Sequence, residues 1–502
     1  MSSATEVLAN TLSERAACRS LLTAGNSKWE TRNCYPESSR LFSMSYQSAV
    51  EQMYALGHEL AQTPSHKFDL KHMRVLLEAL GNPQRRFPGV LIAGTNGKGS
   101  TAATLSAILK AAPLRTGLYS SPHLMRINER IRVNGEPIAD GAFALVHEVV
   151  ERTAERLVSE GDLPWHPSFF EMLTAMAFEY FARENIDIAV LEVGMGGRLD
   201  ATNVIEPVVS VITDISLDHQ KFLGNTLTEI AREKAGIIHP GGVVVTLPQS
   251  PPANEVIGSA ILEQNARAVS AVPYVPPVSP AAARTEYRGN APLSGRVEQG
   301  DSVLLSKYPL EVLGNEIMVE SALVGRHQLR NIALAIAAAE ELENQGFPLT
   351  ADAIERGLRE TRWPGRFQLI PARGDWPEIV LDVAHNPAGA WALRATLSAY
   401  YGEHRLTIVF GAMRDKAISE ISEILFPVSE RVIATRAENP RSASPDEIRA
   451  AAHRTGGEIL VADSVSSALH QARQATGTAG LIVVTGSIYV VGEAMRELKV
   501  RI

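Results

Sequence analysis

Residues 94–100 read Gly-Thr-Asn-Gly-Lys-Gly-Ser and follow an apolar run at residues 90–93. After them, apolar residues such as Leu105 and Leu109 recur with the spacing of one helical face. The pattern predicts a strand, a glycine loop and a helix. Backbone N–H groups of such a loop can surround an anion, the helix N-terminus adds positive partial charge, and Lys98 adds a full one. The stretch therefore predicts a phosphate loop that binds a nucleoside triphosphate.

The spacing of this loop departs from the general phosphate-loop pattern. That pattern has four residues between the first glycine and Gly-Lys, and it places Ser or Thr directly after the lysine. Here two residues, Thr95 and Asn96, take the place of four, and Gly99 lies between Lys98 and Ser100. For the loop alone, a glycine-rich strand-to-helix turn without a ligand remains the alternative interpretation.

The composition is that of a globular chain with small-molecule partners. The 502 residues are 45% hydrophobic, which is enough for two or three domains with their own cores. The formal net charge of −8 and the pI near 6.0 indicate no basic surface for nucleic acid. No apolar run approaches the roughly 18 residues that cross a bilayer. We therefore expect a soluble, cytoplasmic monomer with no nucleic-acid or membrane partner.

The first 43 residues differ from the rest of the chain. They lack the apolar core and cleavage site of a secretory signal, and their glutamates oppose a transit peptide. Both cysteines, Cys18 and Cys34, lie here, so we expect the body of the protein to use neither disulfides nor thiolate metal sites. Residues 1–43 are predicted to be a disordered extension. Met44 opens a helical pattern and is also a candidate translation start.

Strands and helices alternate from Val90 onward, as in a doubly wound, mostly parallel sheet. The first series of predicted strands covers residues 90–93, 186–193, 208–213 and 243–247. Predicted helices cover residues 169–181, 227–235 and 328–345. The second series of predicted strands covers residues 379–382, 406–410, 431–434, 458–461 and 481–485.

These patterns divide the chain into two α/β domains. The first, residues 44–361, contains the phosphate loop and a Pro- and Gly-rich surface insertion at residues 273–302. Residues 362–378 interrupt the periodicity with Trp-Pro-Gly-Arg and are predicted to be a linker. Residues 379–502 form a smaller, Rossmann-like domain.

Polar residues follow several predicted strands, where open α/β sheets place their binding sites. Glu192 ends one strand, His219 follows the next, and Asp382 ends a strand of the second domain. A carboxylate such as Glu192 can hold Mg²⁺ beside a phosphate loop. Asp382 can equally cap a helix, and His219 can be structural. Arg366, in the linker, can reach a nucleotide phosphate or be only a linker charge.

Six segments together resemble the folylpolyglutamate synthase and dihydrofolate synthase family, relatives of the Mur ligases. They are the loop at 94–100, Tyr119-Ser120-Ser121-Pro122-His123-Leu124, the stretch from Leu191 to Asn203, Leu217-Asp218-His219, Arg232-Glu233-Lys234-Ala235-Gly236 and Leu381-Asp382-Val383-Ala384-His385-Asn386-Pro387. The resemblance runs from about Met44 to the C-terminus. It implies an α/β, Mur-ligase-like fold, with a P-loop ATPase domain followed by a glutamate ligase domain. The family shares the unusual loop spacing.

The resemblance implies an ATP-dependent amide ligase. In this family ATP phosphorylates the carboxylate of a pterin-bearing substrate, and the amine of L-glutamate attacks the acyl phosphate. A carboxylate is a poor electrophile until it is phosphorylated, and the γ-phosphoryl group moves only when its charge is neutralised. We therefore expect ATP and Mg²⁺ as cofactors and no organic prosthetic group. The expected partners are L-glutamate with dihydropteroate, tetrahydrofolate polyglutamates or both.

The resemblance also assigns roles to individual residues. The catalytic residues it implies are Lys98, His219 and Lys234. The ATP contacts are Gly94, Thr95, Asn96, Gly97, Lys98, Gly99 and Ser100, with Asn331, Arg366 and Asp382 from the far side of a cleft that domain closure completes. The metal ligands are Ser121, Glu192, His219 and Lys234, the last as a carbamate formed with CO₂. From the sequence alone, Lys234 is a favourable cation at a helix C-terminus.

The folate acceptor is predicted from three stretches that resemble pterin-binding elements of bifunctional family members. They are Lys67, Phe68, Asp69 and Leu70; Phe170 and Glu171; and Leu199, Asp200 and Ala201. They favour an enzyme that also joins glutamate to dihydropteroate over one that only extends polyglutamate tails. Phe169 and Phe170 begin an amphipathic helix, so at least one of them is expected in the core. His385 and Asn386 are candidates for the glutamate site.

Two other functions fit parts of the sequence. One is a Mur-type ligase that acts on a cell-wall nucleotide precursor, and the other is a switch in which ATP changes the shape of the protein for a partner. Gly99 and the segment Ser121-Pro122-His123 favour the folate branch. The chain shows no repeat, coiled coil or charged tail suited to assembly.

Overall fold

The computed structural model describes residues 44–57, 70–277, 284–287, 304–455 and 457–500, and of residues 284–287 the backbone alone. The expectations for residues 1–43, for Lys67, Phe68 and Asp69, and for most of the insertion at 273–302 lie outside the described residues.

The helices alternate with strands along most of the chain. They are α1 (Tyr46–Ala55), α2 (Leu70–Ala79), α3 (Lys98–Ala111), α4 (Asp140–Glu160), α5 (Phe169–Arg183), α6 (Gln220–Leu223), α7 (Leu227–Ala235), α8 (Pro251–Glu263), α9 (Arg326–Asn344), α10 (Ala351–Glu360), α11 (Pro387–Tyr401), α12 (Ile418–Leu425), α13 (Pro445–Ala451), α14 (Val465–Thr476) and α15 (Ile488–Glu497).

The strands build three sheets. They are β1 (Gly89–Ala93), β2 (Thr116–Tyr119), β3 (Ile131–Val133), β4 (Glu136–Pro137), β5 (Ile188–Glu192), β6 (Val209–Ile212), β7 (Val243–Thr246), β8 (Arg267–Ser270), β9 (Arg284–Tyr287), β10 (Leu304–Val312), β11 (Asn315–Ser321), β12 (Gln368–Ile370), β13 (Glu378–Leu381), β14 (Leu406–Phe410), β15 (Arg431–Ala434), β16 (Ile459–Val461) and β17 (Leu481–Thr485).

The largest sheet has eight strands in the order β4-β3-β2-β5-β1-β6-β7-β8. The six strands from β2 to β8 in this order run parallel, and β3 and β4 add an antiparallel edge. Strand β1 lies between β5 and β6, and all five of its residues are buried. A parallel strand covered on both faces needs a continuous apolar run, which is what residues 90–93 provide.

Two separate cores cover the faces of this sheet. Alternate residues of β1 point to opposite faces, so Leu91 packs in one core and Ile92 in the other. The first core is filled largely by α4 and α5, and the second by α3, α9 and α10. Strand β1, which leads into the phosphate loop, is therefore held by packing on both of its faces.

The second large sheet has six strands in the order β12-β13-β17-β14-β15-β16. All neighbours are parallel except β12, which pairs antiparallel with β13. Strand β12 falls inside the predicted linker at 362–378, so part of that segment is an edge strand of the second sheet. Helices cover both faces of this sheet with separate cores. The boundaries proposed for the two domains stay a prediction.

The predicted α/β alternation is confirmed. The nine predicted strands correspond to β1, β5, β6, β7, β13, β14, β15, β16 and β17. The three helices predicted with bounds correspond to α5, α7 and α9, and the helical patterns after the phosphate loop and from Met44 correspond to α3 and α1. The prediction missed the other eight strands, among them β2, β8 and the antiparallel hairpin of β10 and β11, which has Pro309 inside a strand. Short strands and prolines weaken the periodic signal. No helix in the described part of the chain has both the length and the apolarity needed to span a membrane.

Helix α10 packs so closely on α3 that one position requires glycine. A Cβ atom on Gly357 would clash with the backbone of Ile108 in α3. Gly258, in helix α8, provides a matched control because nothing lies within 4 Å of its hypothetical Cβ.

We predict opposite effects of alanine at these two helical glycines. Gly357→Ala should lower the free energy of unfolding by about 1–3 kcal/mol, because overpacking outweighs the gain in helix propensity. Gly258→Ala should raise it by roughly 0.4–1 kcal/mol, because alanine restricts the unfolded chain. Urea unfolding of both variants measures the difference. Equal stabilisation by the two substitutions would contradict the close α3–α10 contact.

Candidate active site

A cavity of about 570 Å³ lies where the carboxyl ends of strands from the two large sheets face each other. Residues that follow β1, β5 and β6 line one side, and residues that follow β13, β14 and β17 line the other. Within the described residues, every predicted site residue except Asn386 lines this cavity. The lining includes residues 94–100, Ser121, Glu192, His219, Lys234, Asn331, Arg366, Asp382, His385, Leu70, Phe170, Glu171, Leu199, Asp200 and Ala201.

The phosphate loop turns into α3 at Gly97, and its glycines are required by their surroundings. Gly97 has φ 92°, a left-handed conformation that favours glycine, and a Cβ there would clash with Asn331 Oδ1. A Cβ on Gly99 would lie 2.9 Å from Trp363 Nε1 and 3.3 Å from Glu192 Oε2. The glycine that interrupts the general loop pattern therefore makes room for a tryptophan from residues 362–378.

Two lysine ammonium groups converge on one backbone carbonyl. Lys234 Nζ donates to Gly94 O at 2.7 Å, and Lys98 Nζ donates to the same oxygen at 3.2 Å and to Thr95 O at 3.3 Å. Lys234 is 4% exposed, so it does not extend into solvent from the end of its helix. Burial, together with the charge of Lys98, lowers the pKa of Lys234 to about 7. The site therefore concentrates positive charge beside the phosphate loop.

Oxygen-bearing side chains lie next to these lysines. The Ser121 N–H donates to Glu192 Oε2 at 3.3 Å, which brings two predicted metal ligands together. Ser100 Oγ, at the start of α3, is buried and has no hydrogen-bond partner. Within the described ranges, no three His, Cys, Asp or Glu side chains form a metal-binding group. Of the four predicted metal ligands, two are of these residue types, Glu192 and His219. The other two are Ser121 and the predicted carbamate on Lys234.

His219 has a strained backbone and a neutral ring. Its φ of 51° lies in the left-handed region, which non-glycine residues seldom occupy. Burial is the main cause that lowers its pKa to about 3; Lys416, His385 and Lys98 lower it further, and Asp218 opposes the shift. A neutral imidazole keeps a lone pair available for a metal ion.

Asp218 is the residue that links the two sheets, and it was not among the predicted site residues. Its carboxylate accepts from Lys416 Nζ at 2.6 Å and from Asn386 Nδ2 at 3.1 Å, and His385 Nε2 lies 3.4 Å away. Burial raises the pKa of the Asp218 carboxyl, but His385, His219 and Lys416 together hold it well below its usual range. Lys416 follows β14, so the strand-end rule that selected Asp382 could also have selected this lysine.

Arg366 and Asp382 lie on the side of the cavity formed by the second sheet. Asp382 accepts from the backbone N–H groups of Phe367 and Ala384, each at 2.9 Å. Burial raises the pKa of Asp382, although Arg366 opposes this shift. Burial lowers the pKa of Arg366, whose neighbouring charges are Asp382 and Glu192. Asp382 therefore anchors the segment that carries Arg366, while Asn386 rather than Asp382 caps α11.

The two adjacent phenylalanines of α5 have different environments. Phe169 is 3% exposed and stacks on Tyr54 with ring centroids 6.0 Å apart, so the expectation that at least one of the pair lies in the core is confirmed. Phe170 is only partly buried, lines the cavity and contacts Tyr119. Gly194 approaches this ring closely, since a Cβ on Gly194 would lie 2.5 Å from the Phe170 ring.

The two carboxylates predicted to contact folate also hold local structure. Glu171 caps α5 through Ser168, and its other oxygen lies 3.1 Å from His72 Nδ1. Asp200 accepts from the Met195 N–H and from the Thr202 N–H, each at 3.0 Å. The Asp200 contacts close the loop that follows β5, and the Glu171 contacts join the start of α5 to α2. Direct contact of either carboxylate with a folate stays a prediction.

Comparison with protein-family models finds two adjacent matches. The family described as Mur ligase middle domain matches residues 92–339, and the family described as Mur ligase, glutamate ligase domain matches residues 365–488. The folylpolyglutamate synthase of Lacticaseibacillus casei is 34% identical over 91% of this chain and 99% of its own. The dihydrofolate synthase/folylpolyglutamate synthase of Bacillus subtilis is 32% identical over 86% of this chain and 95% of its own.

Some relatives are longer than this chain. The probable bifunctional folylpolyglutamate synthase/dihydropteroate synthase of Haloferax volcanii is 35% identical over 90% of this chain, which spans only 50% of that protein.

Solved structures agree with the family comparison. The folylpolyglutamate synthase of Mycobacterium tuberculosis, complexed with ADP and AMPPCP, superposes with a TM-score of 0.76 at 32% identity, covering 90% of this chain and 99% of the other. Escherichia coli FolC in complex with DHPP and ADP gives a TM-score of 0.72 at 28% identity, covering 91% and 99%. The shared fold and the similarity over nearly the whole length of these relatives show that this chain belongs to the folylpolyglutamate synthase and dihydrofolate synthase family of Mur ligases.

Proposed function

We propose that this protein uses ATP to join L-glutamate to the carboxylate of a folate through an acyl phosphate. The observation that carries the proposal is the single cavity with a phosphate loop on one side and residues of the second sheet on the other. A ligase of this kind must hold a nucleotide, an acceptor carboxylate and an amine together, and a cavity of about 570 Å³ has the size of a small-molecule site.

The nucleotide end of the cavity is formed by the phosphate loop, Asn331, Arg366 and Asp382. Lys98 and the N–H groups of residues 97–100 would neutralise the β- and γ-phosphates, and Arg366 would add a cation from the opposite side. The nucleotide complexes of the Mycobacterium tuberculosis relative support this assignment. Stabilisation of the charge on the transferring phosphoryl group is the main catalytic task of these residues.

The oxygen donors beside the phosphate loop fit Mg²⁺, a hard cation that prefers oxygen ligands. Ser121 and Glu192 lie together, Ser100 Oγ is buried without a partner, and His219 is neutral. When bound there, the ion would screen the negative charge of the phosphates. Histidine is an unusual ligand for Mg²⁺, so we assign His219 a supporting role in this set.

The folate end lies among Leu70, Phe170, Leu199 and the loop that Asp200 closes. Apolar and aromatic side chains suit the flat face of a pterin, and the Escherichia coli relative was solved with DHPP. The acceptor carboxylate would then point toward the phosphate loop. Its oxygen attacks the γ-phosphorus and ADP departs, and the glutamate amine then attacks the acyl carbon and phosphate departs.

The glutamate end lies near His385 and Lys416, after strands β13 and β14. Cationic and hydrogen-bonding groups here would hold the carboxylates of the amino acid opposite the acyl phosphate. All three ends of the cavity come from one chain, which supports a monomer. We also propose the cytoplasm as the place of action, because a ligase that consumes ATP works where ATP is supplied.

We further propose that both dihydropteroate and tetrahydrofolate serve as acceptors. The elements at Phe170 and Asp200 that led to this prediction lie at the cavity wall. Relatives named dihydrofolate synthase/folylpolyglutamate synthase support the pair of activities. A synthase that only extends tails remains the alternative.

Incorporation of labelled glutamate tests this proposal. The wild-type protein should ligate glutamate to dihydropteroate and to tetrahydrofolate, with ADP formed over many turnovers only when acceptor and amino acid are both present. Lys98→Ala should lower turnover with either acceptor by at least about a hundredfold, as expected for the loss of a preorganised charge. Labelled product from tetrahydrofolate but never from dihydropteroate would establish the tail-extending alternative.

We propose that Lys234 carries a carbamate in the working enzyme. A neutral lysine amine adds to CO₂ to give a carbamate and releases a proton, and a pKa of about 7 leaves much of Lys234 neutral at physiological pH. The change replaces a cation with an anion beside Lys98. The resulting oxygens could hold a second Mg²⁺ near His219, which the free ammonium would repel.

The carbamate proposal predicts a signal that depends on CO₂ and on pH. In ¹³C-bicarbonate, ¹³C NMR of the wild-type protein should show a protein-bound carbamate that increases as the pH rises through about 7, because only the neutral amine reacts. Lys234→Arg should lack both the signal and the ligase activity, because guanidinium forms no carbamate. The exposed Lys221→Arg serves as a control and should retain both. Full activity of Lys234→Arg would refute the assignment.

A further inference from the structure

The side chain of Asn386 joins the two sheets and uses all of its hydrogen-bonding groups to do so. Its Nδ2 donates to Asn96 Oδ1 in the phosphate loop at 3.0 Å and to Asp218 Oδ2 at 3.1 Å. Its Oδ1 accepts from the Gly389 N–H at 2.8 Å and thereby caps α11. The cap fixes the orientation of the amide, so both N–H groups are directed at the first sheet.

Asp218 extends this junction with a buried ion pair. Lys416 Nζ lies 2.6 Å from Asp218 Oδ1, and both side chains are less than one-tenth exposed. Removal of one member of a buried ion pair leaves an uncompensated charge and is far more costly than loss of a surface pair. The pair therefore favours the arrangement in which the two sheets are close together.

The first-sheet partners of the junction are Asn96 of the phosphate loop and Asp218, whose segment is bonded to that loop. Asn96 Nδ2 donates to Ser216 Oγ at 3.0 Å, and Thr95 Oγ1 donates to Ser216 O at 2.9 Å. The backbone N–H groups of Thr95 and Asn96 both donate to Asp214 O. A displacement of the phosphate loop would therefore displace Ser216 and, through it, the segment that carries Asp218.

We propose that Asn386, Asp218 and Lys416 form a latch that holds the second sheet against the phosphate loop. In this latch Asn386 is a positioning residue, which acts through Asn96 and Asp218 and does not itself bind glutamate. Asn386 is 2% exposed, and neither of its N–H groups is left for a ligand. The latch couples the nucleotide site to the side of the cavity that holds Lys416 and His385. The kinetic test of the latch rests on the ligase function proposed above.

The latch can be tested by exchanging its amide and its carboxylate. Asn386→Asp keeps an oxygen for the helix cap but removes both N–H donors. It also places a second carboxylate next to Asp218, and the two negative charges repel each other. Asp218→Asn provides a donor that can bond an aspartate at position 386. Each single variant should lower kcat by at least about tenfold. The double variant should recover at least about tenfold relative to Asn386→Asp, which is coupling of the size found within one hydrogen-bond network.

The same variants separate a latch from a glutamate ligand. If residue 386 bound glutamate directly, Asn386→Asp would raise KM for glutamate with kcat preserved, and Asp218→Asn would restore nothing. That pattern would overturn the proposal. Trp391→Ala is a matched control on the same helix, because the indole is mostly exposed and is not part of the network. It should leave kcat and KM unchanged.

Hydrogen–deuterium exchange of the full chain tests the latch without any ligase assay. In the wild type and in Trp391→Ala, a non-hydrolysable ATP analogue should slow amide exchange in residues 94–101 and also in residues 411–417. In Asn386→Asp the analogue should protect residues 94–101 alone, and the double variant should regain protection of residues 411–417. Equal protection of residues 411–417 in Asn386→Asp and the wild type would overturn the latch.

The kinetic and the exchange measurements test the latch and the proposed ligase function separately. If the wild type ligated no folate, the proposed function would fail, while the exchange experiment would still decide the latch because it needs only the nucleotide analogue. If ligation were normal and the exchange pattern unchanged by Asn386→Asp, the latch alone would be rejected.

Discussion

Two lysine ammonium groups that share the carbonyl oxygen of Gly94 define the electrostatic character of this protein. Lys98 and Lys234 are held there by α3 and α7, and each has the other as a like-charge neighbour. Such an arrangement is favourable only when anions are close by. Phosphate groups can meet this requirement from the ligand side, and a carbamate on Lys234 would meet it from the protein side. Burial, and then the charge of Lys98, lowers the pKa of Lys234 to about 7.

The fold places this charge at the end of a buried parallel strand. Strand β1 is fixed between β5 and β6 and covered on both faces, so the loop that follows it has little freedom. The second sheet contributes its own carboxyl-end loops to the same cavity. Neither sheet alone provides all the residues of the site that we propose for ligation. In the proposed latch, the contact between Asp218 and Lys416 affects catalysis as well as stability.

The sequence predicts the local features of this protein well. The phosphate loop, the strand before it and the acidic end of β5 are each encoded within a few residues, and the structure brings Ser121, Glu192, His219 and Lys234 to one cavity. Such features depend on strand-end geometry, which a linear pattern records. The family resemblance then joined segments that local patterns could not connect.

The sequence did not predict the contacts between distant parts of the chain. Asp218 meets Lys416 across 198 positions of the chain and Asn386 across 168, and no local periodicity encodes either pairing. Asn386 was predicted as a glutamate contact because its segment resembles the family's motif. Its side-chain amide instead bonds Asn96, Asp218 and the Gly389 N–H at the start of α11. The edge strand β12 was likewise not predicted, because the Pro and Gly of its segment indicated a linker.

Transfer of oxygen from the folate carboxylate to phosphate tests the central claim most directly. With an acceptor labelled with ¹⁸O in both oxygens of the reacting carboxylate, one labelled oxygen should leave with inorganic phosphate for each amide formed, and the other should stay in the amide. This result requires that the γ-phosphoryl group be transferred to the carboxylate before glutamate attacks. Release of unlabelled phosphate during amide formation, or of ¹⁸O-labelled AMP, would contradict the account.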